Sequence, residues 1–204
     1  MITIIDYGLG NINAFLNVYE RLNIQVKIAH DSKDLSDATK LILPGVGSFD
    51  FAMSQFNKSG MRDCVEKKVF DEKLPIVGIC VGMQMLAKSS DEGKLPGLGW
   101  IDGDVKLFDV STIPYKTRLP HMGWNSISPL GISKLMEGFD NNSRFYFLHS
   151  YYFICNREED ITSRTEYGIN YASSVNRENI YGIQFHPEKS HANGVRLLYN
   201  FAKI

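Results

Sequence analysis

A cysteine between two glycines is the arrangement in this sequence best suited to covalent chemistry. Cys80 follows the apolar run Pro75–Ile79, with Gly78 two residues before it and Gly82 two residues after it. A strand that turns sharply into a helix holds a nucleophile in a strained backbone conformation, and side chains at the two glycine positions would collide. The following helix favours the thiolate over the thiol. The pattern predicts a nucleophile rather than a structural cysteine, the usual role of a lone buried thiol.

A thiol nucleophile needs a base, and a histidine near the end of the chain can supply it. The run Ile180–Phe185 predicts a strand that ends at His186, and Pro187 prevents its continuation. Glu188 can accept a hydrogen bond from the imidazole and stabilise the imidazolium. Because open α/β sheets place active sites at the carboxyl ends of their strands, Cys80 and His186 are expected to meet there. Taken alone, His-Pro-Glu is also compatible with a solvated turn.

Other chemistries find less support. The five histidines show neither i, i+4 nor C-x-x-C spacing, so no metal site is expected. Gly8 and Gly10 suggest a dinucleotide-binding loop, but Asn13 stands where the third glycine of that fingerprint is required. No cofactor is therefore expected. Cys64 and Cys155 lack a strand–turn–helix context and are interpreted as packing or incidental residues.

The elements that must position these residues alternate along the first hundred positions. Short β-rich runs are separated by helix-like stretches, which predicts βαβ units and a mostly parallel sheet. The predicted strands are Met1–Ile5, Ile24–Ile28, Lys40–Leu43 and Pro75–Ile79. The predicted helices are Asn13–Leu22, Ser32–Ala38, Phe49–Phe56 and Met61–Asp71.

From about Gly99 onward, aromatic and β-branched runs predict antiparallel strands added to the sheet. These runs are Trp100–Phe108, Trp124–Ile127, Arg144–Ile154 and Tyr171–Val175, and a helix over Gly194–Ala202 follows the last strand. The charged run Asn156–Glu166 predicts a solvated hairpin tip. Without repeats or linkers, we expect one domain over residues 1–204. Its fold class is α/β, with a central, mostly parallel sheet flanked by helices and an added antiparallel portion.

Composition limits the class of protein. The 204 residues carry 22 Lys and Arg against 23 Asp and Glu, and 44% are apolar, which excludes intrinsic disorder. A net charge of -1 gives no electrostatic argument for binding nucleic acid or a membrane surface. The apolar stretch Leu74–Ala87 is shorter than the ~18 residues that span a bilayer. With no signal peptide and three cysteines outside any C-x-x-C pair, a cytoplasmic protein is expected.

Six short motifs carry a family resemblance over essentially the whole chain. They are Gly78–Gln84, Gln184–Ser190, Asp6–Asn11, Pro44–Phe49, Pro120–Asn125 and His149–Tyr151. The first two resemble the class I, triad-type glutamine amidotransferases. The other four resemble, within that class, the HisH family of glutaminase subunits of imidazole glycerol phosphate synthase. The resemblance implies the flavodoxin-like fold of class I amidotransferases.

The resemblance also implies a mechanism acting on L-glutamine. Cys80 would attack the side-chain amide, His186 would act as base and then as acid, and Glu188 would orient His186. Ammonia and then glutamate would leave by way of a glutamyl thioester. The oxyanion hole would use the amides of Val81 and Gly47. The residues implied to bind glutamine are Gly47, Gly82, Gln84, Ser150 and Tyr151.

A partner is implied as well. These elements account for the whole chain and leave no segment for a domain that consumes ammonia. The resemblance implies a heterodimer with a HisF-type (β/α)8 cyclase, which forms imidazole glycerol phosphate and AICAR in histidine biosynthesis. The candidate contact residues are Asn11, Asn13, Trp124, Tyr146 and Lys189, although the two aromatic residues could equally belong to the core of their strands.

Three other functions are compatible with parts of this pattern. Lys88–Trp100 and Val81 resemble paralogues that supply ammonia to an amidino-sugar synthase in surface-polysaccharide biosynthesis. A free-standing thiol γ-glutamyl hydrolase would share the cysteine turn, but the Asp6–Asn11 and Pro120–Asn125 motifs argue against it. A catalytically silent scaffold module is disfavoured by the intact cysteine, histidine and glutamate.

Overall fold

The computed structural model describes residues 1–204, which form five α-helices and thirteen β-strands. The helices are α1 (Ile12–Arg21), α2 (Phe49–Lys58), α3 (Arg62–Phe70), α4 (Val81–Met85) and α5 (His191–Lys203). The strands are β1 (Ile2–Ile5), β2 (Val26–Ala29), β3 (Lys40–Gly45), β4 (Ile76–Cys80), β5 (Ser89–Ser90), β6 (Gly103–Leu107), β7 (His121–Ser126), β8 (Ser128–Pro129), β9 (Arg144–His149), β10 (Tyr151–Cys155), β11 (Ile161–Tyr167), β12 (Ile169–Arg177) and β13 (Ile180–Ile183). None of the helices has the length and apolar character needed to cross a membrane.

Five of the strands form a parallel block in the order β2-β1-β3-β4-β13. Every residue of β1 and β4 is buried, as expected for central strands of a sheet covered on both faces. The register pairs Gly45 of β3 with Cys80 and Ile183 of β13 with Ile79. The carboxyl ends of these three strands therefore lie side by side, and the predicted parallel sheet is confirmed.

The antiparallel portion extends the sheet beyond β13. Strand β12 pairs antiparallel with β13, and the antiparallel order continues through β10 to β6, whereas the edge strand β5 pairs with β6 in parallel. Strands β11 and β8 branch from β12. Strands β7 and β9 form a separate antiparallel pair. The predicted α/β class with an added antiparallel portion is confirmed.

Helices pack in pairs around the parallel block. In α1, Phe15 and Tyr19 are buried, and the Tyr19 hydroxyl donates to the Leu198 carbonyl of α5 at 3.1 Å. Helix α2 packs against α4, the helix that follows Cys80. The short α4 is thus held between its strand and a longer amphipathic helix.

Three local predictions are wrong. Only Lys33–Leu35, rather than Ser32–Ala38, is helical, as a single 3₁₀ turn. The run Arg144–Ile154 divides at Ser150 into β9 and β10, which belong to different sheets. The run Asn156–Glu166 is exposed only over residues 156–159, so it is not a solvated tip as a whole. From Ile161 onward it is the mostly buried strand β11.

The polar residues of β11 tolerate burial because β12 supplies partners for their hydroxyl groups. The Thr162 hydroxyl lies 2.7 Å from that of Ser174, and the Ser163 hydroxyl lies 2.8 Å from that of Ser173. Hydroxyls paired across two strands lose little on burial, whereas unpaired ones would cost free energy. The polar residues of β11 therefore suggested exposure to solvent, but in the fold their hydroxyl groups are buried against hydrogen-bond partners on β12.

Candidate active site

The turn from β4 to α4 has the strained geometry that the sequence predicts. Cys80 has φ 56° and ψ -113°, a conformation that costs about 1–3 kcal/mol for a residue other than glycine. A Cβ on Gly78 would lie 2.5 Å from the Gly82 carbonyl oxygen, and one on Gly82 would lie 2.0 Å from the Leu43 carbonyl oxygen. Neither approach is sterically possible. Both glycines are therefore needed to present the thiol at the sheet edge.

The segment after β13 is fastened to β9 by two hydrogen bonds and closed on itself by a third. The His186 amide donates to the Tyr146 carbonyl at 2.8 Å, and the Tyr146 amide donates to the Ser190 hydroxyl at 3.0 Å. The same hydroxyl donates to the His186 carbonyl at 2.5 Å. Between these contacts, Pro187–Lys189 forms one 3₁₀ turn. The turn thus has a fixed position relative to the small sheet.

Within this turn, His186 and Glu188 form a buried pair. Nδ1 of His186 lies 2.9 Å from Oε1 of Glu188, and the side chains are 5% and 3% exposed. Burial by itself disfavours the imidazolium, but contacts with Cys80 and Glu188 outweigh it and raise the pKa of His186 to about 10. Nε2, the other ring nitrogen, is buried and makes no hydrogen bond of regular geometry. The geometry thus favours imidazolium at neutral pH, with Nδ1 held by Glu188 and Nε2 without a hydrogen bond of regular geometry.

The thiol of Cys80 has one acceptor and one donor beside it, in addition to His186. Sγ lies 3.9 Å from the Leu148 carbonyl oxygen of β9 and 3.8 Å from Nε2 of Gln184. Cys80 itself is only 4% exposed. The sulfur therefore lies at the bottom of an opening rather than on the surface.

That opening is a cavity of about 290 Å³, at the small end of the usual range for ligand pockets. It is lined by Val46, Gly47, Cys80, Val81, Gln84, Glu92, Pro120, Leu148, His149, Ser150, Tyr151, His186 and Lys189. Most of the residues expected at the site are in this lining. Glu188 lies behind His186. Gly82 lies outside the lining, packed against the backbone of β3.

Two backbone segments bring amide groups to the same cavity. Val81 is the first residue of α4, where N–H groups have no partner within the helix. Opposite it, neither the Val46 nor the Gly47 amide donates to another backbone group. Gly47 has φ +89°, a conformation that favours glycine, and no atom lies within 4 Å of the position of a Cβ there. Unpaired donors beside a nucleophile are the arrangement that stabilises an oxyanion.

The sequence alone did not point to Glu92. It supplies the one carboxylate in the cavity lining, and its Oε2 accepts a hydrogen bond from the Phe49 amide at 2.8 Å. Glu92 belongs to the segment after α4 that folds back over the start of α2. No periodic pattern marks it, because its place depends on a contact across 43 residues.

A second unpredicted feature is a buried cluster of His121, His149 and Tyr171. Nδ1 of His121 lies 3.2 Å from Nε2 of His149, and the Tyr171 hydroxyl lies 3.1 Å from each of these nitrogens. Burial lowers the pKa of His121 to about 4. Burial together with the neighbouring His121 lowers that of His149 to about 3. Both imidazoles are therefore neutral at pH 7.

The residues expected at a partner surface have mixed environments. Trp124 of β7 is 38% exposed and faces Tyr146 of β9 across the small sheet. Lys189 lines the cavity, with Nζ 5.7 Å from the centre of the Tyr146 ring. Asn11 and Asn13 are exposed at the start of α1. Lys189 thus lines the cavity, the two aromatic residues lie on the small sheet, and the two asparagines lie at the start of α1, which contacts the Pro187–Lys189 turn.

Comparison with known proteins agrees with this geometry. The family model "Glutamine amidotransferase class-I" matches residues 3–204. The imidazole glycerol phosphate synthase subunit HisH of Bdellovibrio bacteriovorus is 52% identical over 206 residues, covering 100% of both chains. The subunit of the same name from Leptospira interrogans is 48% identical over 204 residues, again covering 100% of both.

A solved structure has the same fold. One chain in the structure of PurLQS from Thermotoga maritima aligns with a TM-score of 0.74 at 15% identity, covering 99% of this chain and 97% of the other. At that identity the likeness concerns the fold alone. The family model and the full-length sequence relatives, taken with the strained cysteine turn, show that this chain belongs to the class I glutamine amidotransferases and, among them, to the HisH family.

Proposed function

We propose that this chain is the glutaminase subunit of an imidazole glycerol phosphate synthase, hydrolysing L-glutamine to glutamate and ammonia. The observation that carries the proposal is the buried set of Cys80, His186 and Glu188 at one end of the cavity. The names of the full-length relatives favour this synthase over an amidino-sugar synthase as the recipient of ammonia. Like other enzymes of biosynthesis, the protein would act in the cytoplasm, as one amidotransferase domain.

In the first half of the reaction, Cys80 attacks the side-chain amide carbon as the thiolate. The raised pKa of His186 means that the imidazole carries a proton on Nε2 as well as on Nδ1 at neutral pH. As the carbon–nitrogen bond breaks, Nε2 donates that proton to the departing nitrogen, and ammonia leaves a glutamyl thioester. Glu188 holds Nδ1 and stabilises the positive charge until the transfer.

In the second half, a water molecule attacks the thioester. The now neutral Nε2 of His186 takes a proton from the water, the carbon–sulfur bond breaks, and glutamate is released. Cys80 leaves as the thiolate, which restores the starting ion pair. Each tetrahedral intermediate carries an oxyanion, and the amides of Val81 and of the Val46–Gly47 segment are its proposed donors. Losing one such donor typically costs about 3 kcal/mol of transition-state stabilisation.

The cavity lining offers acceptors for the α-ammonium group of glutamine and contacts for the remainder of the molecule. Gln84 donates through Nε2 to the Tyr151 carbonyl and to Gln184, which leaves its Oε1 as an acceptor. With the Glu92 carboxylate, this acceptor suits the α-ammonium group of glutamine. Ser150 and Tyr151, on the β9–β10 connection, are the proposed contacts for the rest of the substrate.

Ammonia released in water is lost to protonation and diffusion, so its consumer should dock over the cavity. We propose a HisF-type (β/α)8 cyclase as that partner. The exposed Trp124 and Met122 on β7, at 38% and 57%, offer an apolar contact surface. Asn11 and Asn13 at the start of α1 would extend it. Because α1 contacts the turn that holds His186, a partner there would lie close to the reacting groups.

The test replaces the nucleophile and measures the two half-reactions separately. With the HisF-type cyclase from the same source, Cys80→Ala should abolish glutamine-dependent synthesis while leaving ammonia-dependent synthesis unchanged. Cys64→Ala, which removes a half-buried thiol outside the cavity, is the matched control and should retain both. Full glutamine-dependent synthesis by Cys80→Ala would overturn the mechanism.

The same assay separates the alternative functions. Glutamine-dependent synthesis with an amidino-sugar synthase, but not with the cyclase, would assign the other acceptor. Cleavage of γ-glutamyl peptides without any partner would instead identify a free-standing hydrolase. Failure of Cys80 to react with a glutamine-analogue electrophile would indicate a silent module.

A further inference from the structure

The amide of Gln184 contacts the reacting sulfur from outside the substrate cavity. Gln184 is fully buried, its Nε2 lies 3.8 Å from Sγ of Cys80, and it is not part of the cavity lining. It follows β13 directly, and its main-chain amide donates to the Ser173 carbonyl at 2.9 Å. Nothing in the proposed reaction uses this side chain, although it is one of three polar groups beside the nucleophile.

The orientation of this amide is set by a chain of hydrogen bonds. A carbonyl oxygen only accepts, so the 3.1 Å contact between the Tyr151 carbonyl and Gln84 must involve the NH₂ group of Gln84. The same NH₂ group donates to Oε1 of Gln184 at 3.1 Å. Gln184 must then turn its own NH₂ group toward Cys80. The chain of Tyr151, Gln84 and Gln184 therefore ends with a donor aimed at sulfur.

A donor and an acceptor at the sulfur favour different protonation states. The Leu148 carbonyl can accept a hydrogen bond from the thiol but interacts unfavourably with a thiolate. The Gln184 N–H interacts best with negatively charged sulfur, because hydrogen bonds to charged groups are stronger than those between neutral groups. We propose that Gln184 is a positioning residue that holds Cys80 as the thiolate facing the cavity, with its amide oriented by Gln84 and the Tyr151 carbonyl.

This inference deepens the proposed glutaminase function, but it is tested on thiol reactivity without glutamine. Several other titratable groups line the cavity or interact with Cys80 or His186, and none of them is mutated in the test. They are Tyr7, Glu92, His149, His186, Glu188 and Lys189.

The experiment measures how fast iodoacetamide alkylates Cys80 as a function of pH. The full chain carries Cys64→Ser and Cys155→Ser, so that Cys80 is the one remaining thiol. In Gln184→Met, which keeps length but has no donor, the rate below the midpoint of the pH profile should fall about tenfold, with the midpoint about one pH unit higher. Gln184→Glu keeps an acceptor for Gln84 but turns a carboxylate oxygen toward sulfur, and should shift the midpoint further.

Two further measurements distinguish a positioning role of Gln184 from a general effect of the substitution on folding. Gln25→Met, at an exposed glutamine, should leave the profile unchanged. In glutaminase assays with the cyclase, Gln184→Met should lower kcat about tenfold with a smaller change in KM, because Gln184 does not line the cavity and Gln84 keeps its hydrogen bond to the Tyr151 carbonyl. Profiles of both Gln184 variants that coincide with the parent would overturn the inference. If the alkylation profile shifted in the Gln184 variants but the parent protein had no glutaminase activity with the cyclase, only the proposed function would be overturned.

Discussion

Glu188 lies two residues after His186, and its Oε1 is 2.9 Å from Nδ1 of the imidazole, with both side chains almost wholly buried. A carboxylate in such a place is stable only with a partner, because an isolated charge loses its solvation on burial. Here the partner is an imidazolium whose pKa is raised to about 10 by Cys80 and Glu188 against the effect of burial. The charge on His186 therefore depends on both of its neighbours, Cys80 and Glu188.

Replacing Glu188 by glutamine should slow the reaction without moving the histidine. The amide keeps an oxygen that accepts from Nδ1 but removes the negative charge, so the pKa of His186 falls. We expect kcat for glutamine hydrolysis in the complex to drop by about 10²–10⁴-fold. Loss of activity at the alkaline end should begin at lower pH. Glu178→Gln, at an exposed glutamate, is the control, and equal rates in the two variants would contradict the role of Glu188.

The close backbone contacts of the cysteine turn predict a strong effect of one added methyl group. Gly82→Ala would place a Cβ 2.0 Å from the Leu43 carbonyl oxygen, which requires β3 and α4 to separate. We expect the free energy of unfolding to fall by at least about 3 kcal/mol, measured by urea denaturation. Gly60→Ala is the control, because its position is open and only its φ of +71° is unfavourable, at about 1 kcal/mol. Similar losses of unfolding free energy in the two variants would argue against the close contact between position 82 and the Leu43 carbonyl.

The neutral histidine cluster predicts a loss of stability in mild acid. His121 and His149 have pKa values of about 4 and about 3 when folded, below the 6.5 of an exposed histidine. Between these values the unfolded chain binds more protons at these two residues, so their contribution to stability is complete above pH 6.5 and falls as the pH decreases. Each residue should contribute a loss of about 2 kcal/mol between pH 7 and pH 5.

Urea denaturation at the two pH values measures this dependence. His121→Gln should reduce the difference in unfolding free energy between pH 7 and pH 5, because one of the two groups no longer titrates. Gln25→Met, at an exposed residue that does not titrate, should leave the difference unchanged. A parent protein equally stable at both pH values would show that the cluster is not neutral.

Recognition of the α-ammonium group by Glu92 predicts a selective effect on substrate binding. Glu92→Gln retains an acceptor for the Phe49 amide but removes the charge. We expect KM for glutamine to rise about 10- to 100-fold, the equivalent of about 1.5–3 kcal/mol, with a smaller change in kcat. 4-Carbamoylbutanoate, which lacks the ammonium group, should be hydrolysed equally by parent and variant. If Glu92→Gln impaired the hydrolysis of glutamine and of 4-carbamoylbutanoate equally, this contact would be excluded.

The local chemistry of the site followed from short stretches of sequence. A strand that leads into two glycines on either side of a cysteine predicted the strained turn. The steric requirements of this turn are local, apart from the packing of the second glycine on β3. His186 and Glu188 are neighbours in one turn, so their contact also needed no knowledge of distant residues. The alternation of apolar runs with helical stretches predicted the parallel sheet, because burial on both faces leaves a direct trace in composition.

The contacts that surround this chemistry were decided by tertiary structure. Gln184 reaches Cys80 across 104 residues, Glu92 reaches Phe49 across 43, and His121 reaches Tyr171 across 50. The polar strand β11 is buried because its partner is another polar strand. A single sequence determines which groups are reactive and how neighbours in one turn are arranged. Strand order and register determine which distant polar groups meet, since a buried polar group is stable only where the fold brings it a partner.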